Sequence, residues 1–133
     1  MRVEFEDGCV PELEALVDTG AEIKIIHPRY VPKNAFAPSK RPLRLGMANA
    51  VRLQGGKREV TFMMRIKGRE MDSKREVELR IPTTAYDGEM VCEMILSYAW
   101  LAQQDAQINP RRHGLLFTER NRTIWVDGLL TGK

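Results

Sequence analysis

Hydrophobic and polar residues alternate along much of this chain with a period of two, the signature of half-buried β-strands. The clearest run is Val60, Phe62, Met64 and Ile66, separated by Thr61, Met63 and Arg65. Val77, Leu79 and Ile81 repeat the pattern, and Pro82 is expected to stop that strand. With the charged turn from Gly68 to Lys74 between them, the two runs predict an antiparallel hairpin. Residues 1 to 17 predict another hairpin. Val3 and Phe5 alternate with polar neighbours, Asp7-Gly8 is a turn signal, and Leu13, Ala15 and Val17 share one face. Pro11 belongs at an edge or a bulge. Ile23 to Ile26 is a short β-branched strand. Residues 27 to 42 hold Pro28, Pro32, Pro38 and Pro42, which excludes a helix and predicts an extended loop. Leu43-Arg44-Leu45 and then Val51 and Leu53 predict a further hairpin, with Ala48-Asn49-Ala50 at its centre and Gly55-Gly56 at its end. Its small tip residues and glycine pair point to a hairpin able to move.

Met90 to Leu101 is the one long apolar run. It reads as a strand to about Leu96 and then a helix over Tyr98 to Gln104, closed by Ile108-Asn109-Pro110. Leu115-Leu116-Phe117 and Thr123-Ile124-Trp125-Val126 are two final strands joined by a polar turn at Glu119 to Arg122. Many short strands and one short helix predict a mostly-β domain, barrel or sandwich, spanning residues 1–133 as one unit.

Composition narrows the function classes. A chain of 133 residues can bury a core of its own. The net charge is +3, with basic excess in Lys33 to Arg44 and Arg65 to Arg80. Aromatic residues do not interleave with these basic ones, so the patches read as solvated surface and no nucleic-acid partner is expected. No apolar run approaches the ~20 residues that span a bilayer, so no membrane partner is expected. Cys9 and Cys92 lack CxxC spacing and read as free thiols of a reducing, cytoplasmic compartment. His27 and His113 stand in no ligand-spaced cluster, and no metal or cofactor is expected. Met63, Met64, Met90, Met94 and Trp100 read as core packing.

The chemistry concentrates in Ala15-Leu16-Val17-Asp18-Thr19-Gly20-Ala21. An apolar strand runs into an acid, a hydroxyl and a glycine. A carboxylate held near a core costs free energy unless it is partnered. No other acid in the chain repeats this context, so one chain supplies one such carboxylate. Two chains about a twofold axis supply two, and carboxylates at close range share a proton. The aspartic-protease dyad is the known instance of that coupling.

Leu16-Val17-Asp18-Thr19-Gly20-Ala21-Glu22-Ile23 resembles the active-site motif of retropepsins, the homodimeric aspartic proteases of retroviruses and retrotransposons. Ala48-Asn49-Ala50 followed by Leu53-Gln54-Gly55 resembles the flap hairpin of the gypsy-type retrotransposon enzymes. Met94-Ile95-Leu96-Ser97-Tyr98-Ala99-Trp100-Leu101 resembles their second motif, usually Ile-Leu-Gly-x-Asp-Trp-Leu. Ile108 and the strand ending at Phe117 stand where that family returns to its core. The likeness covers about residues 3–118 and leaves 119–133 as a C-terminal extension.

The resemblance implies a mostly-β, retropepsin-like acid protease barrel with one short C-terminal helix, acting as a homodimer on a peptide or polyprotein. Asp18 matches the catalytic aspartate, with Thr19 bonding across to the partner chain and Gly20 completing the catalytic triplet. Ala21 and Glu22 match positions along the substrate backbone, and Ala48, Asn49 and Ala50 match the flap tip that closes over it. Three residues depart from the family pattern. Ser97 replaces a glycine behind the catalytic loop, where a side chain is expected to press on the loop. Ala99 replaces an acid, and Ala50 replaces a flap glycine. These departures imply an alternative, a catalytically weak or inactive protease-like module used for peptide binding or dimerisation.

Overall fold

A computed structural model describes residues 1–38, 54–89, 92–127 and 130–131. In chain order the strands are β1 (Arg2–Glu4), β2 (Ala15–Asp18), β3 (Ile25–Ile26), β4 (Phe36–Pro38), β5 (Gln54–Glu70), β6 (Glu76–Glu89) and β7 (Met94–Ser97). The helix α1 (Tyr98–Gln103) follows, and then β8 (Ala106–Asn109), β9 (Gly114–Glu119), β10 (Arg122–Asp127) and β11 (Leu130–Thr131). All the strands belong to one sheet with the order β11-β2-β7-β3-β6-β5-β10-β9-β8, while β1 and β4 pair with β5. The sheet curls into a half-barrel around its own apolar face. Among the described residues no helix is long and apolar enough to cross a membrane.

The long hairpin of β5 and β6 is the frame. Val60, Phe62, Met64 and Ile66 on β5 are buried, as are Leu79, Ile81 and Ala85 on β6, so the period-two pattern is the core pattern. Pro82 does not stop β6, contrary to expectation; it pairs in register with Met63. The reason is the direction of its nitrogen. Tyr86 N–H donates to the Lys24 carbonyl on the β3 side (3.0 Å), away from β5. Pro82 lies four residues earlier on an unbroken ladder, so its nitrogen faces the same side, where β3 pairs only with Tyr86 and Asp87. No ladder bond is lost there.

The first hairpin forms, and it also docks. Val3 N–H donates to Pro11 and Phe5 N–H to Cys9, closing residues 1–13 on themselves, while β1 pairs with β5. Gly8 at the turn has φ +88°, a conformation that disfavours a side chain. Phe5 meets Phe62 edge-on at 5.9 Å between centroids. The strand predicted over residues 23–26 is confined to β3, and the proline-rich stretch carries two 3-10 turns before β4. The hairpin predicted around Ala48-Asn49-Ala50 lies outside the described residues.

The strand-to-helix switch falls where the apolar run predicts it, between Ser97 and Tyr98. Ile108 and Asn109, expected to close the helix, instead end β8; Asp105 at φ +50° turns the chain before them. Arg120 and Asn121 both have positive φ, as a two-residue turn between β9 and β10 requires. Trp100 and Phe117 meet edge-on at 6.0 Å and join the helix to this meander.

Glu93 ties the start of β7 to the N-terminal part of the chain. Its Oε1 accepts from Glu14 N–H at 2.8 Å, and its Oε2 accepts from the Tyr30 hydroxyl. The Tyr30 bond and then the Glu14 bond hold its carboxyl below the usual carboxylate range. The sign of the linkage follows. A lowered folded pKa stabilises the protein above the unfolded value, about pH 4.3, and that stability is lost as pH falls through the folded value. Glu93→Gln keeps an acceptor but cannot titrate, so its stability should fall less steeply below about pH 4.3 than the parent's. Parallel acid-limb curves in denaturant titrations would refute this.

Packing is tightest where β9 leaves its turn. A Cβ added at Gly114 would lie 2.4 Å from Trp125 Cζ2 and 2.5 Å from the Val126 carbonyl. Backbone cannot step aside as a flexible side chain can. Gly114→Ala should therefore cost about 1–3 kcal/mol in urea unfolding. A cost below about 0.5 kcal/mol would show that the β9–β10 contact yields easily.

Candidate active site

Asp18 is the last residue of β2. Ala15 and Val17 turn into the core at 3% and 0% exposure, which carries the strand inward. On one side β2 pairs in parallel with β7, through Ala15–Met94, Leu16–Ile95, Val17–Leu96 and Asp18–Ser97. On its other side lies β11, also parallel. The carboxylate therefore emerges, half-buried, at the end of a strand with a neighbour on each side.

The turn that follows is built on the same acid. Gly20 N–H donates to Asp18 Oδ1 at 2.9 Å, and Ala21 N–H donates to the Asp18 carbonyl at 3.0 Å. This is the aspartate turn that short acidic side chains favour. A Cβ on Gly20 would stand 3.3 Å from Oδ1, closer than ordinary van der Waals contact. One carboxylate oxygen is thus committed to the loop, while Oδ2 has no hydrogen-bond partner among the described residues. Thr19, Gly20 and Glu22 are exposed and Ala21 is half-buried. No cluster of three or more His, Cys, Asp or Glu side chains that could hold a metal occurs among the described residues.

The structure brings the first and second motifs together. Beyond the four register pairs, Tyr98 N–H donates to the Ala21 carbonyl at 3.2 Å. The start of α1 is therefore bonded to the end of the Asp18 loop. Ala48, Asn49 and Ala50 lie outside the described residues.

Ser97 behaves differently from the expectation that its side chain presses on the loop. It is 2% exposed, and its Oγ accepts from Trp100 N–H at 3.2 Å as the N-cap of α1. The hydroxyl is spent on the helix, satisfying one of its orphan donors. Ala99 faces solvent, and α1 has no acid in its first turn. An acid there would have favoured the helix dipole by about 0.3–1 kcal/mol. The serine cap takes over part of that task.

One arrangement was not read from the sequence. Asp87 on β6 is 3% exposed and is gripped by Arg58, whose Nε and terminal nitrogen reach Oδ2 at 3.1 and 2.9 Å. Arg58 N–H also donates to Asp87 Oδ1 at 3.2 Å, and its guanidinium lies 3.9 Å over the Phe36 ring. The signal was present. Asp87 continues the inward face of Ile81, Thr83 and Ala85, and an acid on that face needs a partner. The grip spans β4, β5 and β6 beside the register shift between Gly55 and Glu59, and Asp87 pairs with Ile26 of β3.

Compared with models of known protein families, the sequence matches none, and no curated protein matches it. Among solved structures, the chain is similar to the retroviral protease-like domain of Ddi1 from Leishmania major, with a TM-score of 0.53. The likeness covers 96% of this chain and 94% of that one at 14% sequence identity. At that identity the likeness speaks for the fold, and the fold of this chain is retropepsin-like.

The capping geometry predicts how position 97 responds to change. Ser97→Ala removes the acceptor of Trp100 N–H and should cost about 0.5–2 kcal/mol. Ser97→Gly should cost only a few tenths more than the parent, because glycine tolerates the cap position. Equal losses for both in thermal or urea unfolding would show that the hydroxyl does not act as a cap.

Proposed function

We propose that this chain is an aspartic endopeptidase of the retroviral or retrotransposon type, closest to the gypsy-type enzymes. The observation that carries the reading is the Asp18-Thr19-Gly20 turn, set on a strand of a retropepsin-like sheet and bonded to the second motif at Tyr98. One chain brings one carboxylate of this kind, so the working enzyme is a homodimer with two copies of Asp18 facing each other. Two such carboxylates hold one proton between them. The ionised one takes a proton from a bound water as that water attacks the scissile carbonyl, and the protonated one donates to the developing oxyanion. The proton then passes to the leaving amine, and the peptide bond breaks.

The other site residues take supporting roles. The Gly20 N–H bond fixes the Asp18 carboxylate and leaves Oδ2 for water. Thr19, exposed beside it, bonds to the partner copy. The substrate lies extended as an added strand, with Ala21 and Glu22 along its backbone and Ala48, Asn49 and Ala50 closing over it. The natural substrate is a polyprotein, and the enzyme works in a reducing compartment.

A second reading, a protease-like module for peptide binding or dimerisation, is favoured by one observation, the exposed Ala99 where the family carries an acid. Asp18→Asn separates the two. Asparagine retains an oxygen for the Gly20 N–H, so the turn and fold should persist, while peptide cleavage should fall by roughly 10²–10⁴-fold or more. Cleavage of a peptide library that is sensitive to pepstatin in the parent and absent in the variant supports the enzyme. Equal cleavage by both proteins would remove Asp18 from the mechanism, and no cleavage by the parent would leave the module. Activity per chain should also fall on dilution, since isolated chains lack the second carboxylate.

A further inference from the structure

We propose that the hollow between the Asp18 loop, β6 and α1 is a binding site for a carboxylate, taken up by the ammonium of Lys24 and the indole N–H of Trp100. The inference concerns the flank of the candidate active site and does not depend on the protease reading. The hollow has a volume of about 210 Å³, far more than one water needs. Glu22 and Lys24 line it from the loop, Thr84 and Tyr86 from β6, and Trp100 and Gln103 from α1.

Two groups on its wall lack a partner. Trp100 is 1% exposed, and its Nε1 is buried with no acceptor among the described residues. An indole nitrogen only donates, so the group that answers it must be an acceptor. Buried donors left unpaired are costly and therefore rare. Lys24 is half-buried and makes no ion pair or side-chain hydrogen bond among the described residues, not even with Glu22. Burial holds its pKa below the ordinary lysine value, the direction of an ammonium that loses water without gaining a carboxylate. Water can serve either group alone. Lining one hollow, the two call for an anionic acceptor.

The rest of the lining decides the class of anion. One ammonium balances one negative charge, and the exposed carboxylate of Glu22 repels a second, which disfavours phosphate or sulfate. Ile23 and Ala99 add apolar wall, which suits an acid carried on a carbon chain. A free short-chain acid and the side chain of an acidic peptide residue both supply such a group, and they differ at Glu22. A peptide residue brings a backbone N–H for the Glu22 carboxylate to accept, and a free acid does not.

Proton–nitrogen correlation NMR tests the site, because Trp100 and Trp125 give two indole signals that Trp125→Phe tells apart. The probes are propionate, N-acetylglutamic acid amide and its neutral twin, N-acetylglutamine amide. Both acids should move the Trp100 signal saturably and leave the Trp125 signal in place, and the glutamine twin should move neither. Lys24→Met should raise the dissociation constant of the acids at least ~10-fold, with Lys24→Gln in its place should the methionine variant not fold. Glu22→Gln assigns the source. A loss of about threefold or more for N-acetylglutamic acid amide alone marks a peptide residue, and no loss for either acid marks a free acid. No saturable shift of the Trp100 signal up to about 50 mM of either acid overturns the site and leaves water as the partner of both groups. The same shift with the glutamine twin, or dissociation constants unchanged in the Lys24 variants, overturns it equally. Asp18 takes no part in these measurements, so their failure leaves the endopeptidase reading to its own test.

Discussion

Everything at the candidate site depends on one pairing, the parallel register of β2 with β7. Both strands have four residues, and short parallel pairs are weak by themselves. All four residues of β7 are buried, so its own pattern cannot tell one register from the next. Burial on β2 alternates and does better, because a slip of one residue would turn Ala15 and Val17 out of the core. The register is then clamped beyond both ends. One step before Ala15–Met94, the Glu14 amide meets the Glu93 carboxylate at 2.8 Å. Beyond Asp18–Ser97, the Tyr98 amide meets the Ala21 carbonyl at 3.2 Å. A carboxylate and an amide thus fix where Asp18 emerges, and the four register pairs fill the space between them.

The long hairpin supplies what this short pair lacks. β5 and β6 stay in register from Glu59–Tyr86 to Arg69–Glu76, and β3 connects them sideways to β7. The connection is narrow. β3 has two residues, Ile25 and Ile26, both buried, with Tyr86 and Asp87 on one side and Ile95 and Met94 on the other. Asp87 stands at this junction, and a buried carboxylate there would be costly without Arg58. The Arg58 fork over Phe36 converts that cost into a tie between three strands. The frame and the site meet at Ile26, which neighbours both Asp87 and Met94.

Most of this frame was legible in residue order, because burial on one face writes itself as alternation. Val60 to Ile66, and Leu79 and Ile81, could be placed inward without coordinates. The turn from Ser97 into α1 could be read from the end of the apolar run. Pro82 misled because its effect depends on which side its nitrogen faces, a property of the sheet and not of the residue. Ile108 misled because a strand of four residues and a helix end look alike in so short a stretch. Asp87 was missed because the strand was expected to end at Pro82, before Asp87 could be counted on its inward face. At the site, the Asp18–Gly20 turn was legible in its residue types. The Tyr98–Ala21 bond was not, since it joins residues far apart in the chain through backbone atoms alone.

Ser97 shows how a buried hydroxyl beside the candidate site can serve the helix that follows it. A glycine at this position leaves the first turn of the helix to be satisfied by other means, such as an acid placed two residues on. This chain has neither the glycine nor the acid. It has a hydroxyl that accepts the Trp100 amide directly, in a space closed to solvent. The serine supplies the cap at this helix start, and no acid accompanies it in the first turn. The consequence appears on the surface and not behind the loop. With no acid in its first turn, the exposed start of α1 carries Tyr98 and Ala99, and Glu22 of the adjoining loop lines the same hollow as Ser97 and Ala99. Residues 97 and 99 thus act on the start of α1 and on the surface beside the Asp18 turn, where Glu22 is also exposed.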